Sequence, residues 1–323
     1  MPSGDRRAAR ITTMLKGFLL FPGQGAQVVG MAKDAYESGG HAVALFEEAN
    51  EILGFDLADL TFNSDPETLA RTENCQPALL VASLAILDTL RERKQFKVLG
   101  AAGLSLGEYT ALTALESLDF ADAVRLVRKR GELMEESGRG QETGMSSVIG
   151  LENSAIEEIC ARITASGVGL VVPANYNCPG QVVISGSKEG LAKAAEELKA
   201  AGARRVLPLN VSAAFHSPFM DKAKKGLEVA LADVAMRTPM AKFVNNADAA
   251  VMTDPETIRD SLARQVVEPV RWEQSCRLIV GQGDTMFYEV GPGKVCSGLM
   301  KRIAPEATVV SINSLADIEA LPD

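Results

Sequence analysis

Ser105 lies in Gly103-Leu104-Ser105-Leu106-Gly107, a G-x-S-x-G pattern set between a strand-like run at 98–102 and a helical pattern at about 106–115. In that context a sharp turn lifts the hydroxyl clear of the chain, and the following helix start offers backbone N–H groups to an oxyanion. The bare pattern also describes a plain glycine turn. A serine hydroxyl needs a base to take its proton, and near neutral pH histidine is the usual one. The chain has two histidines, His41 and His216. His41 follows Gly39-Gly40 at the start of a helical pattern, where a solvated ring is expected. His216 stands in a loop, 212–218, between an apolar strand and a helix, which makes it the candidate base, with a structural histidine as the alternative.

A third group stands out by position. Leu126, Val127, Leu133 and Met134 make one apolar helix face, and the spacing of Arg130 to each of them turns its side chain into that face. A buried guanidinium needs an anion, and its planar fork suits a carboxylate. That carboxylate belongs either to the protein or, beside a serine nucleophile, to a substrate. The glycine-rich stretch Phe21-Pro22-Gly23-Gln24-Gly25-Ala26-Gln27 has no Lys-Ser/Thr after its glycines and no third glycine at dinucleotide spacing, so nucleotide binding fits poorly. It suits better as the donor of one N–H to an oxyanion hole completed by the residue after the nucleophile.

These residues must be positioned by a chain of 323 residues, long enough for about two structural units. Hydrophobic residues make up 46% and charged ones 23%, as in an ordinary globular chain, and no apolar stretch approaches bilayer length. The net charge of −9 disfavours nucleic acid and anionic lipid as partners. Five scattered cysteines without a C-x-x-C pair suggest neither a disulfide framework nor zinc, and point to a reducing, cytoplasmic setting. Residues 1–15, rich in arginine, read as a disordered extension. Strand-like runs then alternate with helical patterns, which predicts a mainly parallel sheet covered by helices. Between 141 and 210 the order changes to β-α-β-β-α-β, the ferredoxin-like arrangement. We therefore expect an α/β fold in which 16–140 and 211–323 form a large domain and 141–210 a small inserted one.

Taken in order, Phe21-Pro22-Gly23-Gln24-Gly25, Gly103-Leu104-Ser105-Leu106-Gly107-Glu108-Tyr109, Arg130, Ala214-Phe215-His216-Ser217, Val244-Asn245-Asn246, Gln265 and Glu289-Val290-Gly291-Pro292-Gly293-Lys294 resemble the motifs of malonyl-CoA:acyl-carrier-protein transacylases. The resemblance runs from about Lys16 to the end of the chain. It implies a hydrolase-like parallel-sheet domain with a ferredoxin-like insertion. It further implies that Ser105 is acylated, that His216 activates it, and that the backbone N–H groups of Gln24 and Leu106 form the oxyanion hole. Arg130 would hold the free carboxylate of the malonyl group, and the main-chain carbonyl at Gln265 would orient the imidazole. Phe215, Asn175 and Asn177 would line the substrate channel. The implied reaction is ping-pong transfer of malonyl from malonyl-CoA to an acyl carrier protein, for fatty-acid or polyketide synthesis, by a cytoplasmic monomer with no metal and no bound cofactor.

Two features limit the carry-over. Leu104 stands where many members have histidine, so that side chain's role does not transfer. Phe215 before His216 matches the malonyl-preferring form of the motif, where a bulky ring crowds an α-methyl group, an effect of ~1–3 kcal/mol. Acidic carrier proteins also sit awkwardly with a net charge of −9, which leaves Lys222, Lys224 and Lys225, or Lys301 and Arg302, as candidate docking clusters. A serine esterase shares the elbow and the histidine but has no use for Arg130, and a non-catalytic carrier-binding module has no use for the three together.

Overall fold

The computed structural model describes residues 14–322, so the expected extension lies almost entirely outside the described residues. Ten strands form two sheets: β1 Leu15–Phe21, β2 Phe96–Gly103, β3 Thr143–Ile149, β4 Val171–Cys178, β5 Gln181–Ser187, β6 Arg205–Pro208, β7 Lys242–Val244, β8 Val251–Met252, β9 Met286–Val290 and β10 Thr308–Ile312. The larger sheet has the order β10-β9-β1-β2-β7-β8, parallel except for the β7–β8 edge pair. The smaller has the order β4-β5-β3-β6 and is antiparallel throughout. With its two helices, Asn153–Ala165 and Lys188–Ala200, it reproduces the expected β-α-β-β-α-β order.

β1 shows why the larger sheet sits at the centre. Its apolar run is buried on both faces, as a parallel sheet between helix layers requires. Leu19 and Phe21 join the main core, while Phe18 and Leu20 turn to a second cluster with Trp272, Phe287 and Met300. A third cluster, around Ile156, Tyr176, Ile184 and Leu198, fills the space under the smaller sheet. The helix Thr72–Arg93 is buried along most of its length and packs against the helix Phe120–Gly138. Pro77 lies in its second turn, and the Glu73 carbonyl left without that residue's N–H accepts from Arg128 Nη1 at 3.0 Å instead.

The strand-like run at 98–102 and the helical pattern at about 106–115 appear within two residues of those bounds, as β2 and the helix Gly107–Ala114. β1 begins at Leu15, two residues before the apolar run 17–21, because Leu15 pairs with Phe96. β7, β8, β10 and the helix Trp272–Gly281 were not anticipated. Among the described residues no helix is long and apolar enough to cross a membrane.

Candidate active site

The site forms where β1 and β2 end side by side. Gly23 approaches the elbow so closely that a Cβ there would stand 2.2 Å from the Leu104 carbonyl oxygen. At Gly103 a Cβ would stand 1.9 Å from the Gly107 carbonyl. Glycine at both is thus a steric demand of the turn. Ser105 itself is held at φ 55°, in the left-handed region that costs an L-residue ~1–2 kcal/mol. His216 has the same φ of 55°. Backbone strain therefore sits on both residues expected to react, and surrounding bonds must hold it there.

Asn246, at the end of β7, does much of that holding. Its Oδ1 accepts from the Ser105 N–H at 2.7 Å, and its Nδ2 donates to the Gly103 carbonyl at 2.8 Å. Its own N–H donates to Glu108. Ser105 Oγ lies 2.9 Å from His216 Nε2, and His216 Nδ1 lies 2.7 Å from the Gln265 carbonyl oxygen. A carbonyl only accepts, so Nδ1 carries the proton and Nε2 is left free to take one from the serine. The imidazole is 4% exposed, and burial together with the charge of Arg130 pushes it down to about 4. It is neutral, and so able to act as a base, throughout the physiological range.

Arg130 is 2% exposed. Its Nη1 donates to Gln76 Oε1 at 2.8 Å, and its Nη2 to Ser105 Oγ and Gln265 Oε1, each at 2.9 Å. All three acceptors are neutral, Nε has no partner, and among the described residues no carboxylate lies within ion-pair distance. Arg128, two residues earlier, is the opposite case. It pairs with Glu132 at 2.7 Å and Glu73 at 3.9 Å, as a half-exposed arginine ordinarily does. The internal ion pair that the sequence left open for Arg130 is therefore not made by direct contact. The acid whose charge acts on Arg130 is Glu108, fully buried, which accepts from Asn246 and from Gln265 Nε2. Burial pushes its carboxyl up to about 8 against the pull of those two bonds and of Arg130.

These groups open onto a cavity of about 220 Å³ lined by Gln24, Leu104, Leu106, Met134, Asn175, Asn177, Phe215, Val295 and Leu299 among others. Among the described residues the backbone N–H groups of Gln24 and Leu106 donate to no protein acceptor, as an oxyanion hole requires. The side-chain amides of Asn175 and Asn177 likewise bond to no protein group among the described residues, and both line the cavity. Every sequence-derived candidate thus borders one space, or in the case of Gln265 backs directly onto it. His41 lies elsewhere, its side chain 77% exposed beside Glu92.

Sequence reasoning gave no role to Gln76, Glu108 or Asn246. The available signals were a glutamine opening the apolar run 76–87, a lone acid at the second residue of an otherwise uncharged helix, and a pair of asparagines just past a strand. Among the described residues no cluster of three or more His, Cys, Asp or Glu side chains is placed to hold a metal ion.

A strained elbow serine, a neutral buried imidazole bonded to it and two free N–H groups are the equipment of acyl transfer through a covalent ester. Residues 18–310 match the model of the acyl transferase domain, and the chain belongs to that family. It is 41% identical over 306 residues to the malonyl CoA-acyl carrier protein transacylase of Bacillus subtilis, covering 95% of this chain and 96% of the relative. The transacylase of the same name from Escherichia coli K12 is 42% identical over 294 residues, covering 91% and 94%. Among solved structures, an acyl carrier protein S-malonyltransferase from Vibrio cholerae superposes with a TM-score of 0.90 at 40% identity, covering 94% and 98%. A malonyl-transacylase structure in complex with a type II PKS acyl-carrier protein matches with a TM-score of 0.90 at 39% identity and the same coverage.

Proposed function

We propose that this chain moves the malonyl group of malonyl-CoA to the phosphopantetheine thiol of an acyl carrier protein by way of an ester on Ser105. The observation that carries the reading is Arg130, a buried cation bonded only to neutral acceptors, 2.9 Å from the serine hydroxyl. A malonyl group bound to Ser105 ends in a carboxylate, which supplies the missing anion and fits the guanidinium fork.

In the first step Ser105 Oγ attacks the thioester carbon while His216 Nε2 takes its proton. The oxyanion forms between the N–H groups of Gln24 and Leu106. The carbon–sulfur bond then breaks, and CoA leaves as the thiol with the proton from His216. In the second step the carrier's thiol gives its proton to His216 and attacks the ester, and Ser105 recovers its hydrogen. The two exchanges are complete in themselves and call on no metal or bound cofactor.

A main-chain carbonyl, and no carboxylate, stands behind the imidazole, which favours this reading over a Ser-His-acid esterase. Phe215, 5% exposed beside His216, crowds the space an α-methyl group would need. For the acidic carrier protein, Lys301 and Arg302 are the better placed cluster, on the helix whose Val295 and Leu299 line the cavity. Lys222 and Lys224 are already paired with Glu136 and Glu228. Reversing both charges at 301 and 302 should raise the KM for the carrier and leave that for malonyl-CoA unchanged; an equal rise in both would remove this surface from the account. We place the reaction in the cytoplasm, where five buried, free cysteines would stay reduced, and its product feeds fatty-acid or polyketide synthesis.

The test is the intact mass of the protein after brief exposure to malonyl-CoA. A malonyl adduct is expected on the native chain, none on Ser105→Ala, and loss of the adduct when phosphopantetheinylated carrier protein is added. Release of free malonate in place of transfer would overturn the reading.

A further inference from the structure

Gln265 meets the site twice, through atoms that do different work. Its carbonyl oxygen accepts from His216 Nδ1, while its side-chain amide lies under Arg130. The amide is fully committed: Oε1 accepts from Arg130 at 2.9 Å, and Nε2 donates to the Ser105 carbonyl at 2.9 Å and to Glu108. Turned over, that amide would aim its NH2 at a guanidinium, donor against donor. What prevents the flip is the acceptor pair below it, the Ser105 carbonyl and the Glu108 carboxyl. Glu108 is itself fixed, because its second oxygen receives the Asn246 N–H. On the opposite side Gln76 Oε1 holds Nη1 of Arg130, and the Gln76 amide donates to Met134 sulfur at 3.6 Å.

Resting on the function proposed above, we propose that Glu108 is a positioning residue for acyl choice: through the Gln265 amide it holds Arg130 in the pose that receives a malonyl carboxylate. It touches no substrate. Two N–H donors converge on it, one at each oxygen, and each oxygen of a carboxyl has a lone pair to offer whether or not the group is ionised, whereas a glutamine amide has a single acceptor oxygen. The neutral isostere therefore leaves Asn246 or Gln265 facing another donor. If the Gln265 amide turns in response, Arg130 loses one of its three acceptors and its aim.

The readout is single-turnover acylation of Ser105, followed by intact mass, with malonyl-CoA and with acetyl-CoA, which has no carboxylate for Arg130 to hold. Glu108→Gln is expected to lower the malonyl-over-acetyl preference by about tenfold, the scale of one hydrogen bond to a charged group. The loss should fall on the rate of malonyl acylation, with the rate of acetyl acylation little changed. Gln265→Met keeps the carbonyl on His216 but removes the amide, and should lower the preference at least as far. Adding Glu108→Gln to Gln265→Met should then change the preference by less than about twofold, because the two act in series. Equal losses for both acyl groups in Glu108→Gln, or effects that multiply in the double variant, would overturn the proposal. Should Glu108→Gln fail to fold, an undiminished malonyl preference in Gln265→Met would overturn it alone. Absence of any malonyl adduct on the native chain would instead count against the proposed function.

Discussion

On the floor of the cavity each polar side chain is already engaged: Arg130 by Gln76, Ser105 and Gln265, His216 by Ser105 and the Gln265 carbonyl, Asn246 by both sides of the elbow. The wall contributed by β4 is the reverse, with the amides of Asn175 and Asn177 bonded to no protein group among the described residues. Both regions are polar, but only the floor carries strained backbone, at Ser105 and His216. A group that must be in place before charge develops gains from being bonded in advance, since no reorganisation is then needed in the transition state. A group that meets a long, flexible substrate arm gains from having free donors and acceptors. On this view floor substitutions should act on the chemical step and on stability, and wall substitutions on substrate affinity alone.

The sharpest break in that contrast comes from His216→Ala, expected to slow acylation by about 10⁴-fold with binding of malonyl-CoA largely kept. The native enzyme offers a companion test in its pH profile. The lowered pKa of His216, about 4, keeps the free base present as pH falls, so the acylation rate should hold down to about pH 5. It should then drop about tenfold per unit below about pH 4, measured by pH-jump before the protein unfolds. A limb near the ordinary histidine value would mean the imidazole is less buried than described. Asn246→Ala comes next, since it strips partners from the Ser105 N–H and the Gly103 carbonyl together. It should cost about 2–4 kcal/mol in urea unfolding and slow acylation as well. The smallest effects belong to the wall. Asn175→Ala and Asn177→Ala should each raise KM by less than about tenfold and leave unfolding unchanged, because no internal bond is lost.

How far the sequence could be read follows the same divide between what is local and what is not. Ser105 was legible because the glycines that make its turn flank it, and His216 because only two histidines compete for the role. Arg130 was legible from helix periodicity, which placed its side chain among apolar neighbours before any partner was known. Glu108, Gln76 and Asn246 act through bonds spanning 54 to 157 positions, and no local pattern marks such pairings. The missed strands have a similar cause. β7 is three residues long and β8 two, too short for an alternation to show, and they are strands only because β2 offers an edge to Lys242–Val244.

The claim on which the rest depends is that Arg130 receives the carboxylate of the acyl group carried by Ser105. Its most direct measurement is the acylation rate of Ser105 by malonyl-CoA and by acetyl-CoA in the native chain and in Arg130→Ala. Removing the guanidinium should cut malonyl transfer by about 10³-fold, the scale of a lost buried charge pair, and leave acetyl transfer within about tenfold of its native rate. A fall of the same size for both acyl groups would contradict the account, and would make Arg130 a support for the elbow and not the site of malonyl recognition.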